Sequence, residues 1–276
     1  MPTMSLSILV VTKGHPFDAP AFFAMWDLIA PGCWTHVEHP DAERALTVEG
    51  TSRYDVIAFY DMPGIDFTRA SPPVAFRQPS TSFVAAFQSL LDAGKPMVFL
   101  HHAVAGWPAW EDYGRYIGGR FHYQPATFAG TRYPDSGYRF DVRHTVSVLD
   151  GDHPICAGLP TEFTITDELY LFPVLEDEVV PLLRTSFPMH DPSQFYSADL
   201  AIRGERNSNT DWTHPTGSQL VGWIKNARNT PLVYLQFGDG PTTYGDPSFQ
   251  LVLSNALSWA ASTDAAEWAS TRYRPH

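Results

Sequence analysis

Four short runs along the chain are almost wholly apolar: Leu6–Val11 (LSILVV), Tyr54–Tyr60 (YDVIAFY), Met97–Leu100 (MVFL) and Leu232–Phe237 (LVYLQF). Runs of this length, rich in branched and aromatic residues, predict strands buried on both faces, as in a parallel sheet. Between them the period changes. Ala19–Ile29, Ser82–Asp92, Trp110–Ile117 and Pro247–Ala261 place apolar residues at helical spacing, which predicts amphipathic helices. Pro31-Gly32, Ala93-Gly94-Lys95-Pro96 and Gly118-Gly119 supply the stops. His36–Glu38 reads as a further strand, and Thr68–Thr81, rich in Pro, Ser and Arg, as irregular. This alternation of strand, loop and helix predicts an α/β fold around a mainly parallel sheet.

Residues 120–220 break the alternation. They are rich in Pro, Gly and Tyr, with short alternating stretches such as Thr145–Leu149 and Val179–Arg184, and they read as antiparallel additions and long loops. The late strand and last helix need the N-terminal half to pack against. The expectation is therefore one domain over 1–262, with loop-rich insertions at 120–220. A polar tail over 263–276 follows, in which Trp268 and Tyr273 are the large apolar groups. No internal repeat or low-complexity tract interrupts this reading.

The 276 residues are enough for a large core, and 44% hydrophobic with 17% charged residues is a globular composition. A net charge of −12 argues against nucleic acid or anionic lipid as partner and leaves a neutral small molecule compatible. No apolar run approaches the roughly 20 residues of a spanning helix. Met1–Val11 lacks the basic flank of a signal peptide. Cys33 and Cys156 stand in unrelated contexts that match neither a zinc ribbon nor a redox pair. Together these features predict a cytoplasmic protein.

In a parallel α/β sheet, ligands bind outside the carboxyl ends of the strands. That rule selects Lys13-Gly14-His15-Pro16-Phe17, Asp61, His101-His102 and Gly238-Asp239. Two imidazoles at a strand-to-helix corner suit acid/base chemistry or metal ligation. Successive strand residues point to opposite faces, so strand geometry lets only one of the pair face a given pocket. Asp167-Glu168-Leu169-Tyr170 is a second candidate, a carboxylate pair beside a phenol. Trp107, Trp110, Tyr113 and Tyr116 follow the histidine pair and divide between core and pocket wall. Turn chemistry accounts for Asp152-His153-Pro154. No GxxxxGK[ST], well-placed GxGxxG, GxSxG or HExxH occurs, so nucleotide binding, a serine elbow and a local zinc helix lack support.

With these residues in view, the chain resembles the trehalose-utilisation (ThuA-like) family. The resemblance is carried by Gly14-His15-Pro16-Phe17, by Val98-Phe99-Leu100 leading into His101-His102-Ala103, and by Trp110, Tyr113, Ile117-Gly118-Gly119 and Phe121. It continues through His153-Pro154-Ile155, Gly158-Leu159, Asp167-Glu168-Leu169-Tyr170, Val233-Tyr234-Leu235, Gly238, Phe249 and Asn255-Ala256 to Trp259-Ala260. The resemblance implies a flavodoxin-like, class I glutamine amidotransferase-like three-layer sandwich. In amidotransferases the corner after the third strand carries a nucleophilic Cys; here it is His101-His102-Ala103, so thiolate hydrolysis of glutamine is not expected. The family usually has Gly-His after its last strand, where this chain has Gly238-Asp239.

The resemblance points to carbohydrate metabolism, with three mechanistic options. One is an enzyme acting on a disaccharide, glycoside or keto-sugar by hydrolysis, elimination or isomerisation. In it a histidine of the pair, His102 ahead of His101, and Glu168 with Asp167 move protons. His15, Phe17, Asp61, Tyr170 and Asp239 then hold the sugar, and Trp107 or Trp110 stacks on its ring. The second is a non-catalytic sugar-binding or regulatory protein. The third is a metal-dependent hydrolase with a divalent ion such as zinc on His15, His102 and Asp239. The loops of 120–220 are candidates for a lid or a homo-oligomer face.

Overall fold

The structure is a computed structural model that describes residues 6–68 and 73–272. Met1–Ser5, the middle of the irregular 68–81 stretch and Tyr273 lie outside the described residues. The first third of the chain runs β1 (Ile8–Lys13), α1 (Ala19–Ile29), β2 (Trp34–Glu38), α2 (Asp41–Ala45), β3 (Val56–Asp61), a small hairpin of β4 (Ile65–Asp66) and β5 (Ala75–Phe76), α3 (Thr81–Asp92) and β6 (Met97–Leu100). After a short 3-10 turn come α4 (Glu111–Ile117) and a second small hairpin, β7 (Ala126–Phe128) with β8 (Thr131–Tyr133). Then follow β9 (Gly137–Val148), β10 (Glu162–Leu171), β11 (Val180–Thr185), β12 (Tyr196–Ser197), α5 (Ala198–Ile202), β13 (Leu220–Ala227), β14 (Thr230–Leu235), α6 (Pro241–Tyr244), α7 (Pro247–Ala260) and α8 (Thr263–Arg272).

Local chemistry explains the helix starts. Asp18, Ser80 and Asp246 each accept a hydrogen bond from a first-turn N–H of α1, α3 and α7, and prolines occupy the first turns of α1 and α7. One difference from the sequence reading is α8. Residues 263–272 form a helix whose seam is the two buried alanines Ala265 and Ala269.

The main sheet has the order β10-β9-β11-β13-β14-β6-β3-β1-β2, with β12 against β9. Five strands, β2-β1-β3-β6-β14, are mutually parallel. Counted along the chain they have the order 2-1-3-4-5, the flavodoxin-like winding. Alternate residues of these strands feed two cores. Ile8, Val10, Val56, Ala58, Val98 and Val233 meet α1 and α7, whereas Leu9, Val11, Ile57, Phe59, Phe99 and Leu232 meet α2 and α3. Each of these side chains larger than alanine contributes about 1.5–3 kcal/mol when removed from water. The result is a three-layer α/β sandwich. β13, β11, β9 and β10 continue the sheet antiparallel. The β9–β10 hairpin is long, and only its Val146–Val148 end pairs with β11. Its other half returns over the carboxyl ends of the parallel strands, as the contacts of Asp167 and Tyr170 show below.

Candidate functional site

β6 ends at Leu100, and the next residue, His101, has φ 47°. A β-carbon in that left-handed region costs about 1–2 kcal/mol, so the surrounding contacts must hold the imidazole there. Its Nδ1–H donates to the carbonyl of Gln236 at 2.7 Å. That bond leaves Nε2 facing Glu168 Oε2 at 3.1 Å, the Tyr170 hydroxyl at 2.8 Å and Asp239 Oδ1 at 3.6 Å. The Tyr170 ring also stacks on the imidazole, with centroids 4.6 Å apart.

Asp167 fixes this corner from behind. Its Oδ2 accepts from Gly238 N–H at 2.7 Å, and its Oδ1 accepts from both Asp239 N–H and Glu168 N–H at 3.0 Å. One buried carboxylate thus ties the hairpin to the loop after β14. The same loop is held on its other side by the Tyr60 hydroxyl, which donates to the Gly238 carbonyl at 2.7 Å, and by Tyr244, which donates to the Asp239 carbonyl at 3.2 Å. Gly238, at φ 119°, supplies the turn.

The electrostatics follow from burial and pairing. Burial alone would strip His101 of its proton, but the pairings with Asp239 and Glu168 and the charge of Asp167 outweigh it and raise its pKa. Burial raises Glu168 and Asp167, with His101 working against it in both. Burial also works to raise Asp239, yet the pairing with His101 wins and holds it below the usual carboxylate range.

Above the corner lies a cavity of about 570 Å³. Glu168 and Tyr170 belong to its wall, with Gly14 and His15 from the loop after β1. Phe121, Tyr123, Tyr138 and Phe140 make it aromatic, and Asn207 and Arg206 add polar groups at the rim. The size and lining, apolar walls with a few convergent polar groups, are those of a small-molecule site.

Of the other residues singled out in the sequence, His15 reaches the cavity and the rest fall elsewhere. His102 is buried between neighbours. Its ring lies 4.6 Å from that of His15 and 4.3 Å from that of Tyr60, and its Nε2–H donates to the Tyr60 carbonyl at 3.3 Å. Burial, His15 and His101 push its pKa well down, so it is a neutral ring, and among the described residues no carboxylate pairs with it. Strand geometry does not continue through the pair, since β6 ends at Leu100 and both histidines lie in the 3-10 turn that follows; with φ positive, His101, not His102, meets the carboxylates. His15 reaches the cavity as a neutral imidazole, lowered to about 4 by burial and the charge of His101. Phe17 packs against Phe22 and Tyr60 in the core.

Asp61 points to the opposite face of the sheet, where its Oδ2 meets His39 Nε2 at 2.7 Å. Trp107 and Trp110 pack on Phe83 and Phe87 in the core of that face. Trp107 also edges a second hollow of about 370 Å³ beside His39 and Arg77. The aromatic wall of the main cavity is built instead from Phe121, which belongs to the family resemblance, and from Tyr123 and Tyr138, which the sequence did not single out. The metal set His15–His102–Asp239 is not what the fold assembles. Among the described residues, the ligand atoms that converge are those of His101, Glu168 and Asp239, all within 4.8 Å of one another. A thiol nucleophile is also absent from the corner. Cys33 precedes β2 at the far end of the sheet, and burial pushes the Cys156 thiol up to about 11.

Comparison with known proteins agrees with this architecture. A crystal structure of a protein described as ThuA-like from Parabacteroides merdae superposes with a TM-score of 0.64 at 13% identity, over 94% of this chain and 91% of that one. One from Bacteroides uniformis, described likewise, gives 0.60 at 18% identity, over 95% and 94%. The Salmonella typhimurium cytoplasmic protein STM3548 gives 0.54 at 9% identity, over 92% and 99%. Among curated proteins no match was found. No helix among the described residues is long and apolar enough to cross a membrane. The family model for trehalose utilisation matches residues 8–260, nearly the whole chain, and the protein therefore belongs to the ThuA family of trehalose utilisation, within carbohydrate metabolism.

Proposed function

We propose that this protein is an enzyme that binds a disaccharide, a glycoside or an oxidised (keto) sugar in the aromatic cavity. It works on that sugar at the His101–Glu168–Asp239 corner, by hydrolysis, elimination or isomerisation. Trehalose and its keto form head the candidates because of the family. The observation that carries the reading is that Glu168 and Tyr170 are at once cavity wall and direct partners of the buried His101. Each of the three reaction types needs a proton moved or a sugar oxygen polarised. Glu168 is the carboxylate nearest the bound sugar, and His101 is the group that holds it. Tyr138 and Tyr123 offer faces for the sugar ring. His15 and Asn207 offer hydrogen bonds to its hydroxyls. A cytoplasmic setting belongs to the same reading.

The test is a thermal-shift screen of disaccharides and their keto forms, followed by product analysis. A shifted melting temperature and a new sugar product, with Glu168→Gln retaining the shift and losing the product, is the expected result. Saturable binding without product from any sugar that binds would make the protein a sugar-binding module and sink the enzymatic reading.

A further inference from the structure

The donors at the corner have an arrangement that a proton alone does not require. The hydrogen bond from His101 Nδ1–H to the Gln236 carbonyl aims Nε2 at Glu168, Tyr170 and Asp239. This is the outer contact by which proteins orient a metal-binding histidine. Two carboxylate oxygens and a phenol oxygen then converge on that single nitrogen at 3.1, 3.6 and 2.8 Å. A tetrahedral ion with bonds of about 2.1 Å has ligand atoms about 3.4 Å apart, and the two carboxylate distances bracket that edge. Asp167 Oδ1 accepts the backbone N–H of both Glu168 and Asp239. The two carboxylate-bearing residues are therefore registered to each other through one buried group. The side chain of Asp239 is 30% exposed, and Glu168, 4% exposed, is part of the cavity wall.

We propose that His101 Nε2, Glu168 Oε2 and Asp239 Oδ1 bind one divalent first-row metal ion of the zinc type, with the remaining position facing the cavity. The donor set, one imidazole and two carboxylates, suits zinc and manganese and neutralises the ion's charge. Three protein ligands and one open position are the pattern of catalytic rather than structural sites. When bound, such an ion supplies Lewis-acid polarisation of a sugar oxygen. This inference deepens the enzymatic reading and rests on the same corner. Tyr170 and His15 remain the protein's own groups beside the open position.

The test uses the full chain without a histidine tag, equilibrated with zinc chloride, dialysed, and analysed for metal by mass spectrometry. The expected result is one zinc per chain, with a melting temperature that falls on chelation and recovers on readdition. Asp239→Asn should weaken zinc binding at least about 10- to 100-fold. Asp239→His, which keeps a ligand atom there, should retain stoichiometric zinc. Circular dichroism of both variants checks that they fold, and Glu168→Gln repeats the test from the hairpin side. Substoichiometric zinc and a melting temperature indifferent to chelator would overturn the proposal. So would Asp239→Asn binding zinc as tightly as the parent. Sugar turnover by the metal-free chain would also overturn it while leaving the enzymatic reading in place. Stoichiometric zinc without turnover of any sugar that binds would uphold the metal and sink that reading.

Discussion

The two sides of the site, corner and cavity together, come from different kinds of sheet. His15, His101 and Asp239 stand on loops that leave the parallel strands, and those strands are buried on both faces by helices. Glu168, Tyr170 and Tyr138 stand on the antiparallel hairpin, whose strand β10 is a sheet edge. The parallel side places its groups through close backbone packing. The antiparallel side places its groups through a few buried polar contacts, chiefly those of Asp167 and Asp135. The first is a frame and the second is a graft onto it, and substitutions should distinguish them.

The largest effect is expected where the graft meets the frame. Asp167→Ala leaves the N–H groups of Gly238, Asp239 and Glu168 without their buried acceptor. With three bonds to a charged acceptor at about 1.5–3 kcal/mol each, the expected loss is at least about 4 kcal/mol of stability. Turnover should fall about 100-fold or more, because Glu168 and Asp239 lose their common register. Asp167→Asn, which still accepts, should recover part of both. Near-parental activity in a folded Asp167→Ala would show that the hairpin is held by other means.

On the frame side, Gly14 is the sharpest probe. It has φ 98°, and a β-carbon there would lie 2.1 Å from the Met62 carbonyl oxygen, between the loops after β1 and β3. Gly14→Ala should therefore cost about 2–3 kcal/mol, read as a lower denaturant midpoint. A parental midpoint would mean that these loops shift freely and would weaken the contrast between frame and graft.

A smaller and different effect is expected at Asp135, inside the graft. Its carboxylate accepts from the Ser197 hydroxyl at 2.6 Å, the Asp199 N–H at 2.9 Å and the Trp212 Nε1–H at 3.0 Å. These contacts hold α5 and the segment leading to Asn207 against the cavity. Asp135→Asn should cost about 1–2 kcal/mol and raise KM several-fold with kcat little changed. A drop in kcat at constant KM would show that this wall takes part in the chemistry rather than in binding.

The same contrast governs how much was legible in the sequence. The frame was, because buried strands and amphipathic helices have distinct periods. β1, β6, α1 and α7 fall within a residue or two of their expected spans. The graft was not. Glu162–Leu171 alternates cleanly at Phe163 and Ile165, but a bulge between Asp167 and Leu169 resets the register, so Glu168 to Leu171 are buried in succession. That removes the period-two signal. Asp167-Glu168-Leu169-Tyr170 could be found as a chemical cluster but not as a strand. His101 and His102 were legible as a pair at a strand end, but strand alternation does not extend to them because they open a 3-10 turn. Which one takes the carboxylates depends on a positive φ at His101, and composition does not announce it. The tryptophans after the pair suit a pocket wall by type. They lie in the core because Phe83 and Phe87 of α3 cover them, a long-range contact with no local trace. α8 escaped because a seam of two alanines is no apolar stripe.

The smallest expected effect concerns acid, and it too belongs to the graft. His144, on β9, is buried, and its Nδ1 lies 2.8 Å from the Thr185 hydroxyl. Burial lowers its pKa from 6.5 to about 4. In the unfolded chain this imidazole takes up a proton below about pH 6.5, whereas the folded protein resists uptake until about pH 4. Across that window the unfolded state binds more protons, so stability is lost as pH falls. At pH 6 the contribution of this one residue is just under about 1 kcal/mol, and it grows toward pH 4. Thermal melts at pH 7.5 and 6 should show a drop for the parent and a shallower one for His144→Gln, whose neutral amide can still meet Thr185. An equal drop in both proteins would move the acid sensitivity out of β9 and onto other imidazoles whose pKa burial lowers, His15 and His102 among them. Both stand on loops that leave the parallel strands, so the frame would loosen with the graft rather than the graft first.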